Sequence, residues 1–183
     1  MNATMKLWPP MPESVVLLDP DGNEAGRMDK LAAHQGDGHL HRAFSVFLVD
    51  ADGRLLLQRR ASSKHHFREL WTNACCSHPR PGEAVLDAGV RRVGQELGVA
   101  LDDGALREVG SFVYRARDAG SGLVEHEWDH VLVGRLDGDP DPDPAEVGDW
   151  RWVDRTTLDT ELAADPGAFT PWFALALAVL DDA

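Results

Sequence analysis

The chain has 183 residues, 43% of them hydrophobic, which suits one domain with a buried core. No stretch approaches the roughly 18 apolar residues of a membrane span, and the N-terminus lacks the apolar run of a signal peptide. The formal net charge of −13 argues against nucleic acid and anionic membranes as partners.

Residues 1–13 are rich in proline and read as a loosely held arm, followed by a single domain over 14–183. An apolar run at 15–19 ends in the turn Pro20-Asp21-Gly22-Asn23. Strands at 43–49 and 55–59 flank Gly53 and read as a β-hairpin. Residues 83–97 have helical spacing, with Val85, Gly89, Val93 and Leu97 on one face and Gly98 where a C-terminal cap belongs. Two further strands are expected at 109–117 and 124–136. Residues 137–144 alternate aspartate with proline and read as a solvated loop, because proline cannot sit inside a sheet. A short strand at 150–153 precedes Asp154, which can cap a helix to about residue 163. Thr170 and Pro171 then open a last, apolar helix. Strands interleaved with helices give a single α/β (α+β) domain, a mixed β-sheet flanked by helices.

Three histidine-bearing segments stand out: 33–41, 71–79 and Glu125-His126-Glu127. Alternate residues of a strand share a face, so Glu125 and Glu127 point together and His126 points away. Cys76 and His78 share a parity too, if their segment is extended. Imidazoles with paired carboxylates suit a divalent cation: manganese, magnesium or zinc. Spacing alone does not choose between His39 and His41. The two cysteines, Cys75 and Cys76, are adjacent, so they cannot staple distant segments, and a reducing cytoplasm is expected. The overall negative charge would repel a phosphorylated ligand, which therefore needs a local basic pocket or a metal; lysine occurs only at Lys6, Lys30 and Lys64.

The expected helix at 83–97 resembles the Nudix box, G-x5-E-x7-R-E-U-x-E-E-x-G-U with U aliphatic. Gly98 and Val99 align with its end, Ser77 with its opening glycine, Glu83 with the first glutamate, Arg91 with the arginine and Glu96 with the last glutamate. Two carboxylates that would hold magnesium for hydrolysis are replaced, by Arg92 and Gln95. Across about residues 15–172 the chain also resembles the type I isopentenyl diphosphate isomerases. The motifs are Lys30-Leu-Ala-Ala-His34, Leu40-His-Arg-Ala-Phe-Ser45, Arg59-Arg-Ala-Ser-Ser-Lys64, Trp71-Thr-Asn-Ala-Cys-Cys-Ser-His-Pro79, Tyr114-Arg-Ala, Glu125-His-Glu127 and Phe169-Thr-Pro-Trp172.

That resemblance implies isomerisation of isopentenyl diphosphate to dimethylallyl diphosphate on a Nudix-like domain. It implies metal ligands at His34, His41, His78, Glu125 and Glu127, and so selects His41 over His39. It implies proton handling by Cys76 and Glu127, with Tyr114 beside the latter. Glu96 would hold Mg2+ against the substrate diphosphate, and Lys30, Arg60, Lys64 and Arg92 would surround that group. Trp172 would lie at the hydrocarbon end. The partner is then a small diphosphate, bound by a chain expected to act as a monomer. A Nudix diphosphate hydrolase and a non-catalytic metabolite-binding module are the alternatives. The first needs the intact acidic box, and the second places no demand on Cys76, His78 and Glu127.

Overall fold

A computed structural model describes residues 13–183, so all of the expected arm except its last residue lies outside the described residues. The elements run β1 (Ser14–Leu18), β2 (Glu24–Asp29), α1 (Lys30–Ala33), β3 (His41–Val49), β4 (Leu55–Arg60), β5 (Trp71–Thr72), β6 (Cys75–Ser77), α2 (Val85–Leu97), β7 (Leu106–Arg117), β8 (Val124–Arg135), β9 (Val147–Val153), α3 (Arg155–Ala164) and α4 (Phe173–Asp181).

Strand β3 is the hub of the sheet. It runs parallel to β8 from His41↔Glu127 to Val49↔Arg135, and antiparallel to β6 with Ser45 opposite Cys76. Strand β7 lies antiparallel on the far side of β8, with Tyr114 opposite Glu127. His41, Glu127 and Tyr114 therefore occupy one row across three strands. The period of two also sorts the core. Phe44, Val46 and Leu48 pack with Ala88, Val93 and Leu97 of α2. Phe47 packs instead with Leu158 of α3 and with Phe173, Ala176 and Leu177 of α4. Helices thus cover both faces of a mixed sheet, as the pattern implied.

Several expectations change. The hairpin closes only at Val49↔Leu55, because β4 then pairs with β9 and β5 while β3 turns to β8 and β6. Strand β2 carries no apolar alternation and is largely exposed; it forms by pairing with β1 at the sheet edge. The last helix begins at Phe173, after Trp172 at its N-cap position. Thr170 does not cap it with its side chain: the hydroxyl donates to Thr72 Oγ1 at 2.9 Å. The acidic loop is only partly solvated, since the backbone N–H groups of Asp141 and Asp143 donate to the carbonyls of Leu97 and Glu96 and Pro140 is buried. Helix α3 starts where expected, with Asp154 accepting from the Thr157 N–H at 3.0 Å.

Candidate active site

Glu125 and Glu127 project from β8 to one side and are both buried, while His126 faces the other way. His34 ends the single turn of α1, and its Nδ1 donates to the Lys30 carbonyl at 2.6 Å. His41 opens β3 and its Nδ1 donates to the His39 carbonyl at 2.7 Å. Each such bond fixes Nδ1 as a donor and turns Nε2 inward, where it can serve a metal once it carries no proton. His78, just past β6, brings a third imidazole. One ligand atom each from His34, His41, His78, Glu125 and Glu127 lie within 4.8 Å of one another. His41 is fully buried and His39 is exposed, supplying only its carbonyl.

Imidazole nitrogens and carboxylate oxygens crowd together in this cluster. The Nε2 atoms of His41 and His78 are 3.1 Å apart, and His78 Nε2 is 2.8 Å from Glu127 Oε1. His34 Nε2 lies 2.8 Å from Glu125 Oε2. Burial opposes a proton on His34, but the Glu125 carboxylate beside it prevails and pushes it up to about 9. His78 is held well below the usual imidazole range by burial and by His41. Burial would raise Glu125, yet hydrogen bonds from His34 and His66 hold it well below the carboxylate range. Glu127 is raised, by burial and by Glu125. Three imidazoles and two carboxylates at this spacing are a donor set for a divalent transition metal or magnesium.

Glu127 faces two ways. Its Oε1 lies among the histidines and its Oε2 accepts from the Tyr114 hydroxyl at 2.6 Å. Burial and the neighbouring carboxylates keep that phenol well above its ordinary range, hence neutral. Tyr114, Glu127, Cys76, Arg60 and Trp172 line one narrow cavity of about 80 Å3. Cys76 Sγ donates to Asn73 Oδ1 at 3.0 Å and accepts from the indole N–H of Trp172 at 3.2 Å. Its thiol is pushed up to about 12, by burial first and by Asp129 next. Cys75 points the other way, fully buried in the core against α2.

The basic residues are placed less simply than the motifs suggested. Lys30, Lys64 and Arg92 line the cavity, but Lys30 is paired with Glu13 at 2.9 Å and Lys64 with Glu146. Arg92 pairs with Glu96, a buried carboxylate outside the five-residue cluster, whose other oxygen accepts from Gln58 at 3.2 Å. Arg60 donates through Nε and Nη2 to the carbonyls of Phe67 and His66, each at 3.0 Å. In the Nudix-like box, Arg91 grips both oxygens of Glu83 at 2.6 and 2.7 Å, tying the approach of α2 to its middle turn. A wider basin of about 630 Å3 shares Lys30 and His78 with the cavity and adds Arg27 and Arg80 to its wall.

Sequence reasoning missed His66, Asn73, Ser45 and Asp129. Ser45 Oγ donates to buried Asp129 at 2.8 Å and sits 3.6 Å from Cys76 Sγ. Asp129 has the parity of Glu125 and Glu127 along β8, which is the local signal that turns it inward. His66 lies in a loop, where no periodicity says which way a side chain faces.

Comparison with known proteins identifies the family and the fold. Residues 39–173 match the model of the NUDIX domain family. The chain is 52% identical to the isopentenyl-diphosphate Delta-isomerase of Nocardia farcinica, over 92% of this chain and 95% of that protein. It is 51% identical to the enzyme of that name from Burkholderia multivorans, over 89% and 90%. Among solved structures, a Deinococcus radiodurans protein superposes with a TM-score of 0.72 at 22% identity, covering 92% of this chain and 98% of that one. A MutT protein from Methanosarcina mazei gives a TM-score of 0.62 at 16% identity, over 78% and 94%. These two speak to the fold alone. The chain belongs to the isopentenyl-diphosphate Delta-isomerase family, built on a NUDIX domain.

Proposed function

We propose that this protein converts isopentenyl diphosphate to dimethylallyl diphosphate, with Cys76 and Glu127 as its proton-handling pair. The observation that carries the reading is that the Cys76 thiol, kept protonated by burial, and the Glu127 carboxyl line one narrow cavity. Isomerisation adds a proton to the terminal alkene carbon, passes through a tertiary cation and removes a proton from the carbon nearer the diphosphate. One group gives the proton and the other takes one, so the pair must exchange a proton between turnovers. Protonating an unactivated alkene needs close placement and exclusion of water, which would otherwise trap the cation. The aromatic side chains of Trp172 and Tyr114 in the wall of a cavity of about 80 Å3 support such placement.

His34, His41, His78, Glu125 and Glu127 would hold one divalent cation, manganese, magnesium or zinc, and Glu96 would hold Mg2+ with the substrate. Bound there, such cations supply positive charge that sets the proton affinity of Glu127 and neutralises the diphosphate. Lys30, Arg60, Lys64 and Arg92 hold the diphosphate and so fix the alkene against Cys76 and Glu127. Tyr114 orients the Glu127 carboxyl through its hydroxyl. Trp172 orients the thiol through its N–H and presents an aromatic wall to the cation. Every named group belongs to one chain, so the reading needs no partner subunit. It does need a reduced thiol, and we place the protein in the cytoplasm.

Incubation with Mn2+, Mg2+ and isopentenyl diphosphate tests this directly. Dimethylallyl diphosphate is the expected product. Released phosphate would instead indicate a hydrolase, and unchanged ligand a binding module. Hydrolysis is disfavoured because Arg92 and Gln95 stand where that chemistry uses carboxylates.

A further inference from the structure

We propose that His66 is a positioning residue for the metal centre: its Nε2–H donates to Glu125 Oε1 and turns Oε2 alone toward the metal. The inference rests on the metal site proposed above. Glu125 has two oxygens with two different neighbours. Oε2 lies against His34, inside the five-residue cluster, and Oε1 lies against His66. His66 supplies no atom to that cluster, although its ring centroid is only 5.3 Å from that of His34. A buried carboxylate with one oxygen left free could rotate or chelate through both oxygens. A donor on Oε1 removes that freedom, and partners of this kind are part of how metal ligands are held.

The loop between β4 and β5 is built to present this ring. His66 is buried, and the next residue, Phe67, has φ +48°; Glu69 follows at φ +60°. Neither is glycine, and a left-handed backbone at such residues persists only where the surroundings force it. Arg60 does the forcing, through its two bonds to the carbonyls of His66 and Phe67. A guanidinium that lines the cavity thus also sets the loop that holds a metal ligand. With the proton on Nε2, Nδ1 is a bare lone pair, and it is buried with no hydrogen-bond partner among the described residues. A histidine kept only to fill space would be served as well by leucine.

The test is Mn2+ titration of the metal-free full chain, with His66→Leu, His66→Asn and His66→Gln beside the unaltered protein. Glutamine reaches as far as the imidazole Nε2 and keeps a donor, whereas asparagine is too short. The Kd for Mn2+ should rise about 10- to 100-fold in the Leu and Asn variants and stay within about 3-fold in the Gln variant. The Asn and Gln variants place a similar burden on folding, so their difference reads reach. Visible absorption of the Co2+-loaded Gln variant should match that of the unaltered protein. An unchanged Kd in His66→Leu would overturn the proposal. So would a Gln variant as weak as the Leu variant with an altered cobalt spectrum, which would make His66 a ligand. No Mn2+ uptake by the unaltered protein, by contrast, would sink the metal site itself.

Discussion

Cys76 is held by hydrogen bonds from both directions, and its behaviour follows from that. Its thiol, raised to about 12 by burial and then by Asp129, is protonated throughout the neutral range. Alkylation requires the thiolate, so iodoacetamide should react slowly at neutral pH and faster at each higher pH, with no plateau below pH ~11. Intact-mass kinetics would check this; a plateau near neutrality would mean an activated thiol. Cys76→Ala should lose activity by at least about 100-fold, the usual scale of an acid–base group. Cys75→Ala should keep activity but lower the thermal midpoint by about 2–4 °C, since it leaves a small gap in the core against α2. Trp172 plays two separable parts. Phenylalanine there keeps an aromatic face but loses the N–H bond to Cys76, for about a 5-fold drop in rate. Leucine loses both and should fall about 5- to 30-fold further. Equal rates in folded Phe and Leu variants would reduce Trp172 to packing.

At the level of elements, helix α2 shows how local chemistry and a distant loop meet. Gly98 ends the helix at φ +65°, and a Cβ there would sit 2.3 Å from the Asp141 carbonyl oxygen. The same loop closes the helix by donating to the carbonyls of Glu96 and Leu97. Gly98→Ala should therefore cost about 2–4 kcal/mol, combining a left-handed conformation with a clash against backbone. Asp154→Ala removes the side-chain cap of α3 and should cost only about 1 kcal/mol. Urea melts of both variants would check the pair; equal losses would show that the acidic loop yields freely.

For the whole molecule the governing fact is a net charge of −13 around a site proposed to take a diphosphate. Glu13 and Glu146 lie against Lys30, Lys64 and Arg92, so a diphosphate competes with those carboxylates for the same cations. In the five-residue cluster His34, raised to about 9 by Glu125 against the effect of burial, carries a proton below that pH. A metal must expel that proton, so apparent affinity should rise with pH from 6 to about 9 and then level off. Titrations across that range would check it; affinity independent of pH would contradict it. Chelation should also destabilise the protein, because a ligand at 100 times its Kd contributes about 2.7 kcal/mol. That loss on adding EDTA should disappear in His78→Ala, which lacks one of the five proposed ligands.

Features that depend on near neighbours were legible in the chain. Alternation along one strand was enough to pair Glu125 with Glu127 and turn His126 away. The αL preference of glycine was enough to end a helix at Gly98, and two replaced carboxylates were enough to mark the Nudix-like box as altered. Resemblance added the roles, and with them the choice of His41 over His39. The rest needed the folded sheet, because contact across 91 residues between His34 and Glu125 depends on strand register, which no local period encodes. The parallel pairing of β3 with β8 sets His41 beside Glu127, and the antiparallel pairing of β6 sets Cys76 beside Ser45. Loop side chains were the least legible. His66 reaches Glu125, and Arg60 holds His66, because a strained turn aims them there, and neither follows from a repeat in the chain.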